Sequence, residues 1–270
     1  MGSNLGFVYY INMYNFSATG IQTNRDSCMS LLNRGLDNDD ELFYSADENQ
    51  SFVCWLAYPG LLTGTGMPHG IKEDNNDFKA GFYFDHTYGL PVIPGSSVKG
   101  LLRSVFPNRI RHKNTSRFKK DTKAGWILAQ FEHINDPDFL ENTFEPIENA
   151  LPDQIEWVNK LELEIFEGIN YETGKNKSLY SRDIIHDAVI HEADPHRKIV
   201  GTDYITPHLN PLKNPIPIKL LKILPEVSLL FQFDLKPGLI SVGDKIKLFQ
   251  KIILTMGIGA KTNVGYGQFQ

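Results

Sequence analysis

The stretch that most constrains the fold lies near the end of the chain, where Glu226–Asp234 is followed by a long amphipathic segment from Val242 to Met256. In the first part Val227, Leu229, Phe231 and Phe233 alternate with Ser228, Gln232 and Asp234, the period-two pattern of a strand with one apolar face. In the second, Val242, Ile246, Phe249, Ile253 and Met256 recur at spacings of four and three, a single apolar helix stripe that needs a sheet to lie on. Other segments supply the sheet. Phe52–Tyr58 is aromatic and apolar enough for a first strand, Asp183–Ile190 reads as a second, and Tyr266–Phe269 as a short closing strand. Ser97–Val105 reads as a helix between the first two strands. The order β-α-β-β-α-β predicts an α+β, ferredoxin-like (RRM-like) domain with its helices on one face of the sheet.

Two motifs carry candidate chemistry. In Gly89-Leu90-Pro91-Val92-Ile93-Pro94-Gly95-Ser96-Ser97-Val98-Lys99-Gly100-Leu101-Leu102-Arg103, the prolines hold an extended approach and Gly95 permits a corner. Ser96 or Ser97 can cap the helix that follows. Lys99 and Arg103, four apart, share one helix face near free backbone N–H groups, an arrangement suited to phosphate oxygens. The same spacing also fits an ordinary capped helix with solvated cations. The second motif is Gly257-Ile258-Gly259-Ala260-Lys261-Thr262-Asn263-Val264-Gly265-Tyr266-Gly267. It is neither a Walker A loop nor a dinucleotide fingerprint. Its glycines can bring backbone N–H groups close to a phosphate backbone, or simply turn the chain into its last strand.

Together these motifs resemble the RAMP superfamily of CRISPR-associated RNA-binding proteins, whose signature is a C-terminal glycine-rich loop. Tyr58-Pro59-Gly60-Leu61-Leu62-Thr63-Gly64-Thr65-Gly66, Gly81-Phe82-Tyr83-Phe84-Asp85 and Asp203-Tyr204-Ile205-Thr206-Pro207-His208 resemble in particular the sixth subunit family of the Cmr series, as does Asn214-Pro215-Ile216-Pro217-Ile218-Lys219. The likeness covers roughly residues 52–103 and 182–269. It implies the ferredoxin-like RAMP fold and a subunit that caps the filament of a type III-B effector near the crRNA 3′ end. The RNA-binding residues it points to are Ser96, Ser97, Lys99, Arg103, Gly257, Gly259, Lys261, Thr262, Asn263, Gly265 and Gly267, with Arg197, Ile205 and His208 in an insertion. The expected partners are crRNA, target RNA and other RAMP subunits.

One RAMP domain over 1–270 then carries an N-terminal extension (1–50), a charge-segregated helical insertion (107–180), a thumb-like insertion (190–217) and the loop 257–267. The net charge of −5 hides the segregation. From Lys99 to Lys123 nine cations stand against Asp121, and from Asp136 to Glu167 ten acids stand against Lys160. The basic block suits a polyanion or a solvated loop; the acidic block reads as a solvated helical face. Prolines and histidines crowd Ile190–Pro217, which reads either as a loop or hairpin that projects from the core, with Ile205 as a tip that wedges between bases, or as a surface loop packed on its own domain, with Ile216–Leu224 as an additional strand. Deleting Glu192–Val200 is expected to leave the fold intact.

No apolar run is long enough to span a bilayer, and the N-terminus lacks the basic region of a secretory signal, so a cytoplasmic protein is expected. Cys28 and Cys54 are read as free thiols. Neither a metal-ligand spacing nor a nucleophile motif stands out, so no cofactor, no metal and no catalysis are expected. His112, His133 and His186 are candidates for metal-free RNA cleavage, with His186 beside Asp187 more in keeping with a structural role; Asp74 and Asp77 lie in a polar loop. A repeat-processing RAMP endoribonuclease is the alternative function, and a general RNA-binding module is a third.

Overall fold

Alternating Phe52, Val53, Cys54 and Trp55 form a strand because each face of the pleat finds an apolar layer or a neighbour to pair with. The computed structural model describes residues 4–12, 14–17, 20–23, 26, 33, 48–63, 83–107, 120–193, 198–205 and 217–270. In chain order the elements are α1 (Leu5–Phe7), β1 (Tyr14–Ser17), β2 (Gly20–Thr23), β3 (Ser51–Trp55), β4 (Tyr83–Phe84), β5 (Pro91–Ile93) and α2 (Gly95–Ser104). They continue as α3 (Lys120–His133), α4 (Pro152–Glu162), β6 (Ile184–Ile185), β7 (Ala188–Ala193), β8 (Val200–Ile205), β9 (Ile218–Ile223), β10 (Val227–Asp234) and α5 (Val242–Met256).

The main sheet runs β3-β10-β7-β5-β4, with β6 also on β10. β10 is antiparallel to both β3 and β7, and Phe269 adds an antiparallel bridge to Leu56 beyond β3. β3 and β7 are thus parallel with β10 inserted between them, the split βαβ arrangement anticipated from periodicity. The hairpin of β5 and β4 widens the sheet past β7. Separate two-stranded sheets pair β1 with β2 and β8 with β9.

Val227, Leu229, Phe231 and Phe233 of β10 share one buried cluster with Val98 and Leu102 of α2 and Leu248, Phe249, Ile252 and Ile253 of α5. Phe52 stacks on Phe231 at 5.4 Å, and Phe233 meets Phe249 at 5.3 Å. The opposite face carries Leu230, Val189 and Val92 with Val53.

Several sequence readings change. The closing strand Tyr266–Phe269 reduces to the single bridge at Phe269. The second strand is broken at His186–Asp187 into β6 and β7. Ser228 is buried, not outward, with its hydroxyl bonded to the backbone of Glu192. The buried residues of α5 are Lys245, Leu248, Phe249, Lys251, Ile252 and Ile253, a face rotated from the apolar stripe, and Met256 is 42% exposed. A charge that can be bonded internally counts as a core position, which an apolar pattern does not register. The N-terminal extension contributes Leu5, Val8 and Tyr9 to the core. No helix among the described residues is long and apolar enough to cross a membrane.

Candidate nucleic-acid interface

Helix α2 begins at Gly95, with Pro94 as its cap residue and no side-chain cap. The Gly95 N–H donates to the carboxylate of Asp187 at 2.7 Å, and Ser97 N–H turns back to the Pro94 carbonyl at 2.8 Å. The capping role expected of Ser96 or Ser97 therefore falls to Asp187, from the break between β6 and β7. A carboxylate of the chain itself already stands where a phosphate was expected, because the dipole and the open N–H favour any anion. Gly95 is required there: a Cβ would run into the Ile185 carbonyl and the His186 backbone.

Arg103 is not an open cation either. Its Nε bonds Glu162 at 2.9 Å and its Nη1 meets Glu167 at 2.6 Å, with the guanidinium 5.9 Å from the Phe166 ring centre. Burial disfavours its charge, but the hydrogen bonds to Glu162 and Glu167 outweigh that and hold its pKa above the ordinary value. The acidic block is correspondingly not a purely solvated face, since Glu162 and Glu164 are buried. Lys99 makes no ion pair among the described residues.

The glycine-rich loop leaves the C-terminus of α5 and folds back on itself. Ile258 N–H donates to Gly267 O at 2.8 Å, Ala260 N–H to Leu62 O at 2.7 Å, and Gly267 N–H to Gly60 O at 2.8 Å. Three of its glycines serve packing. A Cβ on Gly257 would meet Gln268 and Gly267, on Gly259 the Leu62 carbonyl and Leu61, and on Gly267 the Ile258 carbonyl. All three also have positive φ. Gly265, with φ 99°, has only Pro59 Cδ near, at 3.7 Å. Lys261 holds the left-handed conformation at φ 61°, rare for a side chain of its size. The backbone N–H groups of Lys261, Thr262 and Asn263 reach no acceptor among the described residues, and the side chains of Lys261 and Asn263 are exposed.

The two motifs do not converge. Gly95 lies beside His186, whose N–H bonds Gln232 O near the end of β10, whereas the loop adjoins Leu56–Leu62 beside Val227 at its start. The span from Val227 to Gln232 separates them by roughly 17 Å.

What meets the loop instead is the β8–β9 hairpin, paired in register from Val200↔Ile223 to Ile205↔Ile218. Leu61 bridges Ile223, and Tyr266 donates its hydroxyl to Asp203 at 2.7 Å beside the Lys222–Asp203 ion pair at 2.8 Å. Burial pushes the Asp203 carboxyl up, but the hydrogen bonds from Lys222, Tyr266 and the Tyr204 N–H prevail and hold it below its usual value. Burial, followed by the bond to Asp203, pushes the Tyr266 phenol to about 12. Tyr266 lies inside the glycine-rich motif and Asp203 about sixty residues before it, and no periodicity or spacing in the sequence links the two.

The base of the hairpin is part of the core and does not project from it, and residues 194–197 and 206–216 of the expected insertion lie outside the described residues. Ile199, Val200, Leu221 and Ile223 are core residues, so removing Glu192–Val200 would take out part of β7 and two buried side chains. Ile205 ends β8; its side chain, with Arg197 and His208, lies outside the described residues, as do His112, Asp74 and Asp77. His133 pairs with Asp136 at 2.8 Å and stacks on Phe144, and no group of three His, Cys, Asp or Glu residues is placed to hold a metal among the described residues. Cys54 is a buried free thiol, its pKa pushed by burial to about 12.

No curated protein matches the chain. Among solved structures it is similar to a chain of the type III-B Cmr-beta complex bound to cognate target RNA, at 21% identity and TM-score 0.47, over 82% of this chain and 56% of that one. It thus spans little more than half that neighbour's length. Cmr6 from Pyrococcus furiosus is similar at 20% identity over 81% of this chain and 96% of that one, TM-score 0.40. A chain of a type IV-B CRISPR complex is similar at 13% identity over 82% and 88%, TM-score 0.43. The RAMP superfamily pattern matches residues 58–270, from the Tyr58 turn through the glycine-rich loop to the last residue, and this chain belongs to the RAMP superfamily.

Proposed function

We propose that this chain is a non-catalytic RNA-binding subunit of a type III CRISPR effector, of the type III-B Cmr kind, which caps the backbone filament and meets the crRNA toward its 3′ end and the target RNA. The observation that carries this reading is the superfamily match, which spans the loop where three backbone donors and the Lys261 ammonium are open to an anion. Phosphate contacts of that kind position an RNA strand without reading its sequence.

The test is purification of the tagged protein from its own host. Other RAMP subunits and a short guide RNA are expected to co-purify. Recovery of the chain without them would overturn the assignment. Purified protein incubated with repeat RNA in EDTA is expected to leave it intact; discrete products would instead identify a metal-independent, repeat-processing endoribonuclease.

A further inference from the structure

Tyr58 is 84% exposed, an unusual position for a large ring in a segment otherwise bonded into the fold. It sits in the turn closed by Gly60 N–H to Ala57 O at 2.9 Å. Ala57 N–H donates to Gln268 O at 2.9 Å and Gly60 O accepts from Gly267, so both ends of the turn are fixed to the glycine-rich loop. Pro59, the next residue, lies against Gly265. The ring is therefore presented to solvent by a backbone that is held on both sides, and little freedom is left to lose when something stacks on it. Lys261, the charged residue of the loop, follows Ala260, whose N–H donates to Leu62 O four residues after Tyr58, and it makes no ion pair among the described residues, whereas Lys222 is neutralised by Asp203.

We propose that Tyr58 is a stacking platform for one nucleobase of single-stranded RNA, whose neighbouring phosphate is held by the Lys261 ammonium and the N–H groups of Thr262 and Asn263. This rests on the RNA-binding reading above. An aromatic face beside cationic and amide donors is the combination that single-stranded nucleic acid binding uses, and it tolerates any base because every base has a π face.

The test measures binding of the full chain to two fluorescein-labelled RNA strands of about 12 nucleotides, one oligoadenylate and one abasic at every position. Tyr58→Ala is expected to bind oligoadenylate about 5- to 100-fold more weakly than the wild type. The salt slope should be unchanged, because no charge is removed. Tyr58→Phe should bind like the wild type, and the abasic strand should not distinguish the three proteins. Equal affinity of Tyr58→Ala and wild type for oligoadenylate would overturn the platform and leave RNA binding standing. Failure of the wild type to bind either strand would overturn both.

Discussion

Lys99 and Arg103 stand one helical turn apart on α2, yet their surroundings separate their roles. Arg103 reaches Glu162 and Glu167, and the first of these is only 3% exposed. Arg103→Ala strips a charged partner from a buried carboxylate, so a loss of roughly 1–3 kcal/mol is expected in urea unfolding. Lys99→Ala should change the urea midpoint little, since Lys99 is only half-buried and makes no ion pair among the described residues. In RNA binding the order reverses: Lys99→Ala is expected to lower the salt slope by about one, and Arg103→Gln, which removes the charge but keeps a hydrogen-bonding side chain, to leave it unaltered. A salt slope that falls with Arg103 and not with Lys99 would restore Arg103 as the phosphate contact. The sequence displayed both cations and their shared face. It did not display the ion pairs, because the acids come from the end of α4 and just beyond it, and no periodicity links positions so far apart.

At the scale of elements, strands β3 and β10, helix α5 and the split βαβ order were legible because each has the period of its own secondary structure. What escaped depended on contacts between elements: the break at His186–Asp187, which lets Asp187 cap α2, and the latch of Tyr266, Asp203 and Lys222 between loop and hairpin. The latch has a pH dependence of known sign. The Asp203 carboxyl is depressed in the fold, so its contribution is present above its unfolded value near 3.8 and is lost as pH falls through the folded value. The Tyr266 phenol is raised, so its contribution is present below 10 and is lost as pH climbs toward about 12. Asp203→Asn should therefore be less stable than wild type at neutral pH, with the gap in urea midpoint closing below pH 3.8. Tyr266→Phe removes one hydrogen bond, about 0.5–1.5 kcal/mol at neutral pH, and should show a smaller alkaline loss than wild type. A gap for Asp203→Asn that stays constant across the acid range would mean that the carboxylate contributes nothing through its charge. The glycines give a second element-scale contrast. Gly259→Val should unfold the loop, whereas Gly265→Ala, with room at its Cβ, should cost only the strain of positive φ, roughly 1–2 kcal/mol.

Across the whole molecule, the charge-segregated insertion is joined to the ferredoxin-like core by buried lysines of α5. Lys251 donates to the carbonyls of Leu140, at 3.0 Å, and Asn142, and lies over the rings of Phe139 and Phe144. Burial lowers its pKa. Lys245 is fully buried; its ammonium meets Asp183 at 2.6 Å and the Lys236 carbonyl at 2.6 Å, with Glu164 at 3.6 Å. Glu164 also accepts from the Leu239 N–H, and Asp183 from the Lys236 N–H. One ammonium thus joins α5, the turn after β10, the approach to β6 and the segment after α4, four places distant in sequence. A sequence pattern scores Lys245 as a surface residue. In the fold, two nearly dry carboxylates make its charge necessary, since removing one member of a buried ionic group leaves the others uncompensated. Lys245→Met keeps the volume and drops the charge, and should cost roughly 3–5 kcal/mol in urea unfolding at neutral pH. Adding Asp183→Asn to that variant should return part of the loss, because a neutral amide needs no counter-charge while Glu164 keeps Lys177 at 3.6 Å, and the two substitutions should be strongly non-additive. If Lys245→Met were as stable as the wild type, or if the changes simply added, the carboxylates would have to be hydrated, and the insertion would be held to α5 through Lys251 and apolar contact without help from Lys245.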